Sequence, residues 1–343
     1  MPSISVILLF QLLLLPNAQK LVPTYNIKQY QTVNWAGKNI ESIQIVDNYL
    51  IVTKDESDYW VEIYNITSEK LLAKAVYCND FSIGRFMYGP VSFDKQSQSL
   101  YWLDYSQAKV YKYQMSDIQV NNRVKPEVGL ELNDKRKYQN FVYFEYVASG
   151  SFVFYSLVDT SRFLVCHDGK IEKRGSIKHL IPDFKQKIKT QSSSSWLLSQ
   201  SCLSPDKKHV FTLSSNFNKG VVQSFADGSL LYTYAGNPAI KPKSDTELDL
   251  LKDIYTYEQV LASGKYYFAS YIGKPIHAIN SKGQMIRNLP QEIHVFNLNA
   301  ELIAVIKTSF EFHQMALDPK NNHIYFDNSK RKLIKSNFDF SQL

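Results

Sequence analysis

A turn-and-strand unit that recurs along the chain constrains it more than any other feature. MALDPKNNHIYFDNSKRKLIKSN (Met315 to Asn337) lines up with VSFDKQSQSLYWLDYSQAKVYKY (Val91 to Tyr113). Asp318 and Asp94 each stand six residues before the first apolar residue of an aromatic-rich strand, Ile324-Tyr325-Phe326 or Leu100-Tyr101-Trp102. An acidic residue follows in each (Asp327, Asp104), then a polar turn with lysine, then a second strand. CLSPDKKHVFTLSSNFNKGVVQSF (Cys202 to Phe225) is a looser third copy. Asp, Pro, Asn, Ser and Gly reverse the chain, and β-branched and aromatic residues fill the strands between them.

Similar units continue through Ile43–Tyr77, Tyr143–Gly175 and Ile254–Gly273 with Ile293–Thr308, mostly with alternation of period two. Tyr and Phe, 23 and 20 in number, suit strands. The best helical candidate, Thr246–Ile254, is a turn or two long. Four-stranded units repeating every 40 to 50 residues or so predict an all-β chain, a six-bladed β-propeller of four-stranded antiparallel blades. The predicted blade centres fall near Val52, Tyr101, Phe154, Phe211, Phe268 and Tyr325. The last blade ends close to the C-terminus. Its missing strand is expected from Tyr30–Trp35, which would close the ring and remove its free edges. A pair of β-sandwiches is the lesser alternative, because the turn pattern spans the whole chain.

The run LSPDKKHVFTLSS…YYFASYIG…IHVFNLNAELIAVIK…MALDPKNNHIYFD resembles the C-terminal half of the TolB-like six-bladed β-propeller family of exported bacterial proteins, many of them lipoproteins. Tyr266–Gly273, Ile293–Ala300 and Asp318–Phe326 occupy the places of its later strands, and Gly84–Asp94 is similar to its Gly/Pro-rich loop before blade two. The likeness spans Ile43 to Asn337 and is sharper in the second half. Asn299-Ala300 replaces the family's Asp-Gly turn. The closing blade also resembles YWTD propellers of receptor ectodomains. The resemblance implies a fold and an exported location, and no particular activity, since propellers host unrelated functions.

The first residues, MPSISVILLFQLLLLPNAQK, carry an apolar run from Ile4 to Leu15 that is too short to span a bilayer, which takes about 20 residues. It suits a secretory signal peptide over residues 1–18, leaving 19–343 as a single propeller domain. No later segment approaches transmembrane length. An exported, extracytoplasmic protein is therefore expected, periplasmic or secreted. PNAQK at the cleavage point has no lipobox cysteine, so no lipid anchor is expected. Cys78, Cys166 and Cys202 match no zinc or redox spacing. Each lies in or beside an apolar run and is expected to be a core thiol, with one disulfide among them left open. The net charge of +7 thickens over Lys170–Lys189. That segment reads as a solvated loop, without the interleaved aromatics that stack nucleic-acid bases, so no nucleic-acid partner is expected.

Catalytic motifs of the H-E-x-x-H, G-x-S-x-G and Walker kinds are absent. The seven histidines are scattered singly; His294 falls within a strand, and His209 and His323 open strands. Ser-x-x-Lys occurs at Ser92, Ser106, Ser204 and Ser329, each time at a hairpin of the repeat, which is turn chemistry. Asp318–Asn328 offers oxygen ligands but neither the Gly nor the closing Glu of an EF-hand, so a turn is expected there, not calcium. Asn65-Ile66-Thr67 is a glycan acceptor in a eukaryotic secretory route. Binding remains: inter-blade loops gather around a propeller's channel. Arg85 and Tyr88, bracketed by Gly84 and Gly89, and Tyr271 and Lys274 are the candidate binding residues. The expected function is non-enzymatic binding of a protein, peptide or glycan by a monomer with no cofactor or metal. The alternative is a hydrolase or lyase with a metal held in the channel by side chains of several blades.

Overall fold

The computed structural model describes residues 22–34, 40–54, 58–77, 91–104, 107, 109–117, 125–132, 141–148, 150–156, 160–167, 170–181, 198–236, 249 and 251–343. The proposed signal segment, Cys78, Arg85 and Tyr88 lie outside them. Two short strands come first, β1 (Thr24–Ile27) and β2 (Gln31–Thr32). Blade 1 is β3 (Ile40–Val46), β4 (Tyr49–Lys54), β5 (Tyr59–Asn65) and β6 (Lys70–Tyr77). Blade 2 is β7 (Val91–Asp94), β8 (Ser99–Asp104), β9 (Lys109–Gln114) and β10 (Glu127–Glu131). Blade 3 is β11 (Phe141–Ala148), β12 (Ser151–Ser156), β13 (Phe163–His167) and β14 (Lys170–Arg174). Blade 4 is β15 (Ser199–Leu203), β16 (His209–Ser214), β17 (Lys219–Ser224) and β18 (Leu230–Ala235).

Blade 5 begins with β19 (Ile254–Ser263) and β20 (Tyr266–Pro275). It is interrupted by a hairpin, β21 (His277–Ile279) and β22 (Met285–Arg287), then resumes with β23 (Glu292–Asn297) and β24 (Leu302–Thr308). Blade 6 is β25 (Phe312–Asp318), β26 (His323–Asn328), β27 (Leu333–Asn337) and, as its outer strand, β2. The sequence reading is met: the chain is a six-bladed propeller, all six predicted centres fall on second strands, and the N-terminal strand closes the ring. Gln31 pairs with Lys335, Thr32 with Ile334, and the Val33 amide donates to the Leu333 carbonyl at 2.9 Å. The sequence reading did not include β1, which adds to blade 5 in parallel with β24, Thr24 opposite Val305, or the β21–β22 hairpin. Over the described part of Thr246–Ile254 the chain turns, and Ile254 already belongs to β19.

The second strands read as unbroken apolar runs because each is buried on both faces. Neighbouring side chains on a strand point opposite ways, so one strand feeds two interfaces. Leu100 and Trp102 pack towards blade 1, Tyr101 and Leu103 towards blade 3. Ile324 and Phe326 pack towards blade 5, Tyr325 towards blade 1. A hydrophobic cluster fills each of the junctions 1/2, 2/3, 3/4, 4/5, 5/6 and 6/1, so the core is a ring of wedges.

Side chains of the inner strands stitch the wedges together. Ser92 accepts the Tyr146 amide (2.8 Å), and Glu145 accepts the Leu203 amide (3.1 Å). Gln259 takes the Met315 amide and donates to its carbonyl (2.9 and 3.1 Å), and Gln314 donates to the Glu41 carbonyl (2.9 Å). Between first and second strands every blade has one residue in the left-handed region: Asp47, Gln98, Gly150, Lys207, Gly264 and Asn322. The repeated aspartates serve these turns. Asp318 caps the short 3-10 turn Pro319–Asn321, accepting from the Asn321 amide at 3.3 Å and its side-chain nitrogen at 2.8 Å. Asp94 accepts the Gln96 and Ser97 amides, each at 3.1 Å.

Candidate functional site

The ring has two faces. One carries the turns between first and second strands and between third and fourth. The other, the mouth face, carries the links between second and third strands and the crossings from blade to blade. A central cavity of about 380 Å³ runs between the inner strands and takes lining residues from every blade, from Ser42 of blade 1 and Val91 of blade 2 to His313 of blade 6.

Towards the mouth, three inner-strand side chains line this channel: Tyr143 of β11, Glu258 of β19 and His313 of β25. Arg287, at the base of the inserted hairpin, donates from Nη2 to Glu258 Oε1. Burial pushes the Glu258 carboxyl up, against the pull of Arg287 and Arg331. Its Oε2 is buried with no hydrogen-bond partner among the described residues. Tyr143 is 45 % exposed to the channel; enclosure by the wall raises its hydroxyl, and Glu258 adds to the shift. Arg331 donates from Nη1 to Asp327 Oδ2 (2.8 Å) and to the Ile40 carbonyl (3.1 Å), tying the mouth to blade 1. Burial lifts Asp327 to about 6 even so.

Burial, and then the charges of Arg331 and Arg287, push His313 down to about 4. It is therefore neutral at neutral pH and offers one nitrogen lone pair to a ligand. Its folded pKa lies below the ordinary value of 6.5, so the unfolded chain takes the proton first. This group thus removes stability as pH falls from 6.5 towards 4. The imidazole resonances of His313 are expected to stay at their neutral positions down to pH 5 and to titrate near 4; a midpoint above 6 would show that His313 is neither buried nor faced by the two arginines.

The hairpin stands at the same mouth. Its strands pair Ala278 with Ile286 and Ile279 with Met285, around a turn in which Asn280 Oδ1 accepts the Lys282 and Gln284 amides. Ile279, Met285 and Ile286 are 56, 64 and 45 % exposed. Leu251 and Ile254, at the start of β19, are exposed apolar residues too, and Ile254 pairs with Pro275 at the hairpin's root.

The candidates from sequence divide. Lys274 sits at the root of the hairpin, half exposed, 3.7 Å from Glu311. Tyr271 lies deeper, between blades 4 and 5, its ring stacked on His294 at 4.1 Å. Around it runs a polar network: Tyr257 Oη is 3.1 Å from His294 Nδ1 and donates to Asn218 Oδ1 at 3.0 Å. Burial pushes His294 down, partly offset by Glu292 at 3.7 Å. Sequence reasoning missed Glu258, Arg287, His313 and Arg331. A carboxylate inside the apolar run YTYEQVLA was the one available signal, because a buried charge requires a partner. Cys166 and Cys202 are both buried, and burial holds the Cys202 thiol well above its usual range.

No family model matches the chain, and no curated protein matches it. Solved structures do. The WD40 repeats of RRP9 superpose with a TM-score of 0.56 at 6% identity, over 90% of this chain and 97% of that one. Regucalcin, a calcium-binding protein from Agrobacterium tumefaciens strain C58, gives 0.54 at 8% identity over 92% and 95%. U3-55K gives 0.51 at 9% over 87% and 80%. The likeness is one of fold. At such identities it transfers neither ligand nor family, and the TolB-like resemblance stays a likeness of residues. Among the described residues no helix is long and apolar enough to cross a membrane, and no three His, Cys, Asp or Glu side chains are grouped to hold a metal.

Proposed function

We propose that this chain is an exported, monomeric, non-enzymatic propeller that holds a protein or peptide partner on its mouth face. The observation that carries the reading is the β21–β22 hairpin, which exposes Ile279, Met285 and Ile286 beside the Glu258–Arg287 pair. A two-stranded hairpin is marginal alone, and apolar side chains exposed on an arm with polar groups at its base suit a protein contact. The WD40-like fold supports a scaffold role, and the apolar N-terminal run and the TolB-like residues support export. For an enzyme with a channel metal, no three His, Cys, Asp or Glu side chains are grouped as ligands among the described residues.

Replacing Ile279, Met285 and Ile286 together with serine is expected to weaken capture of the partner from extracts of the natural source by at least about tenfold. Interface anchors cost about 2 kcal/mol or more each, and about 1.4 kcal/mol is a factor of ten. The melting temperature is expected to stay close to that of the parent, since all three side chains are exposed. Undiminished capture would overturn the reading. Capture that survives protease treatment but not glycosidase treatment would make the ligand a glycan.

A further inference from the structure

Asn65 opens the single Asn-x-Ser/Thr triplet of the sequence, Asn65-Ile66-Thr67. The triplet forms the turn between β5 and β6, on the face opposite the mouth. Three features of that turn separate what the fold needs from what it leaves available. The fold uses Asn65 Oδ1, which accepts the Ser68 amide at 2.8 Å. It also uses Ile66, which is buried and whose amide donates to the Asn48 carbonyl at 2.8 Å. Asn65 Nδ2 and the Thr67 hydroxyl take no part in any hydrogen bond among the described residues, and Thr67 is exposed. An N-linked sugar substitutes Nδ2 and leaves Oδ1 an acceptor, so the Ser68 cap survives the modification. A bulky polar group here projects away from the hairpin and the channel, and leaves the proposed binding face open.

We infer that Asn65 carries an N-linked oligosaccharide, added in a eukaryotic secretory route. The inference rests on the exported reading above. The donor is a lipid-pyrophosphate-linked oligosaccharide. Asn65 Nδ2 attacks its anomeric carbon, the carbon–nitrogen bond forms as the carbon–oxygen bond to pyrophosphate breaks, the lipid pyrophosphate departs, and the displaced Nδ2 proton passes to a base of the transferase.

The test uses the protein purified from its natural source, treated with a peptide-N-glycosidase and followed by gel mobility and peptide mass. One discrete drop in mass is expected, with aspartate left at position 65. In a eukaryotic secretory host, Thr67→Ser is expected to keep the modification, whereas Thr67→Ala and Asn65→Asp abolish it. Asn65→Asp retains the Oδ1 cap, so its melting temperature is the control for folding. Sequencing the mature N-terminus separates the two ways of failing. An unmodified chain that has lost its first residues overturns the glycan and leaves export standing. An unmodified chain with Met1 and the apolar run still present overturns both.

Discussion

Deleting residues 1–34 is expected to abolish the folded monomer. The loss removes β2, which completes blade 6 and closes the ring, and β1, which covers the outer edge of blade 5. Ile27 leaves the 5/6 wedge and Val33 the 6/1 wedge, both buried. Burying an aliphatic side chain is worth about 1.5–3 kcal/mol, and each backbone bond across the closure adds about 1 kcal/mol. Those bonds include Val33 to Leu333 (2.9 Å), Val305 to Pro23 (3.0 Å) and Ser309 to Ile27 (3.0 Å). Tyr25 adds a bond from its hydroxyl to the Gln342 carbonyl at 2.8 Å. Together these rival the whole stability of an ordinary domain, about 5–15 kcal/mol. The deletion also bares two strand edges, which invite pairing between chains. Sedimentation and urea unfolding are expected to show aggregates and no cooperative transition, against a sharp transition for a chain starting at residue 22. A cooperative, monomeric melt from the shorter chain would show that the ring does not depend on its N-terminal strands.

Replacing Lys54 with methionine is expected to cost about 3–5 kcal/mol, the penalty for stranding one member of a buried ion pair. Lys54 Nζ lies 2.6 Å from Glu62 Oε2, and both side chains are 5 % exposed. Tyr59 and Tyr64 donate their hydroxyls to the same carboxylate. Burial pushes Glu62 up, but Lys54 and the two tyrosines outweigh it and hold the group below its ordinary value of 4.5. The native pair's contribution is therefore fully present above pH 4.5 and is lost as pH falls through the lower folded value. Without Lys54 the burial dominates, the folded value rises above the unfolded one, and the slope reverses: the variant gains stability on acidification through this range. Adding Glu62→Gln to Lys54→Met, which removes the stranded charge and keeps an acceptor for the tyrosines, is expected to restore most of the loss. A single variant as stable as the parent, with an unchanged pH profile, would show that the pair contributes nothing.

The blades were legible in the sequence because their second strands are wedged between neighbours on both sides. Leu100-Tyr101-Trp102-Leu103 and Ile324-Tyr325-Phe326 have no solvent-facing position, so the run is continuous and its polar boundaries mark the turns. The closing strand was legible from the incompleteness of the last blade. β1 was not: of Thr24–Ile27 only Ile27 is buried, which leaves no period to read. The hairpin has strands of three residues, shorter than a period can establish. The mouth was hidden for a different reason. Glu258 and Arg287 stand 29 positions apart, and His313 and Arg331 are single residues in strands or turns of the next blade. The closing of the ring brings them within electrostatic reach of one another, and no local spacing encodes that. The aspartate at 318 posed the opposite difficulty. It resembles a ligand in isolation, and comparison with the copy at Asp94 identifies it as a turn cap.

Partners are expected to meet this propeller at the hairpin and the channel mouth. A photo-crosslinking side chain placed at Ile286, and separately at Lys320 on the opposite face, tests it most directly in the natural source. A discrete protein adduct is expected from position 286, suppressed by serine at Ile279 and Met285, and none from position 320. An adduct from position 320 with none from 286 would contradict it.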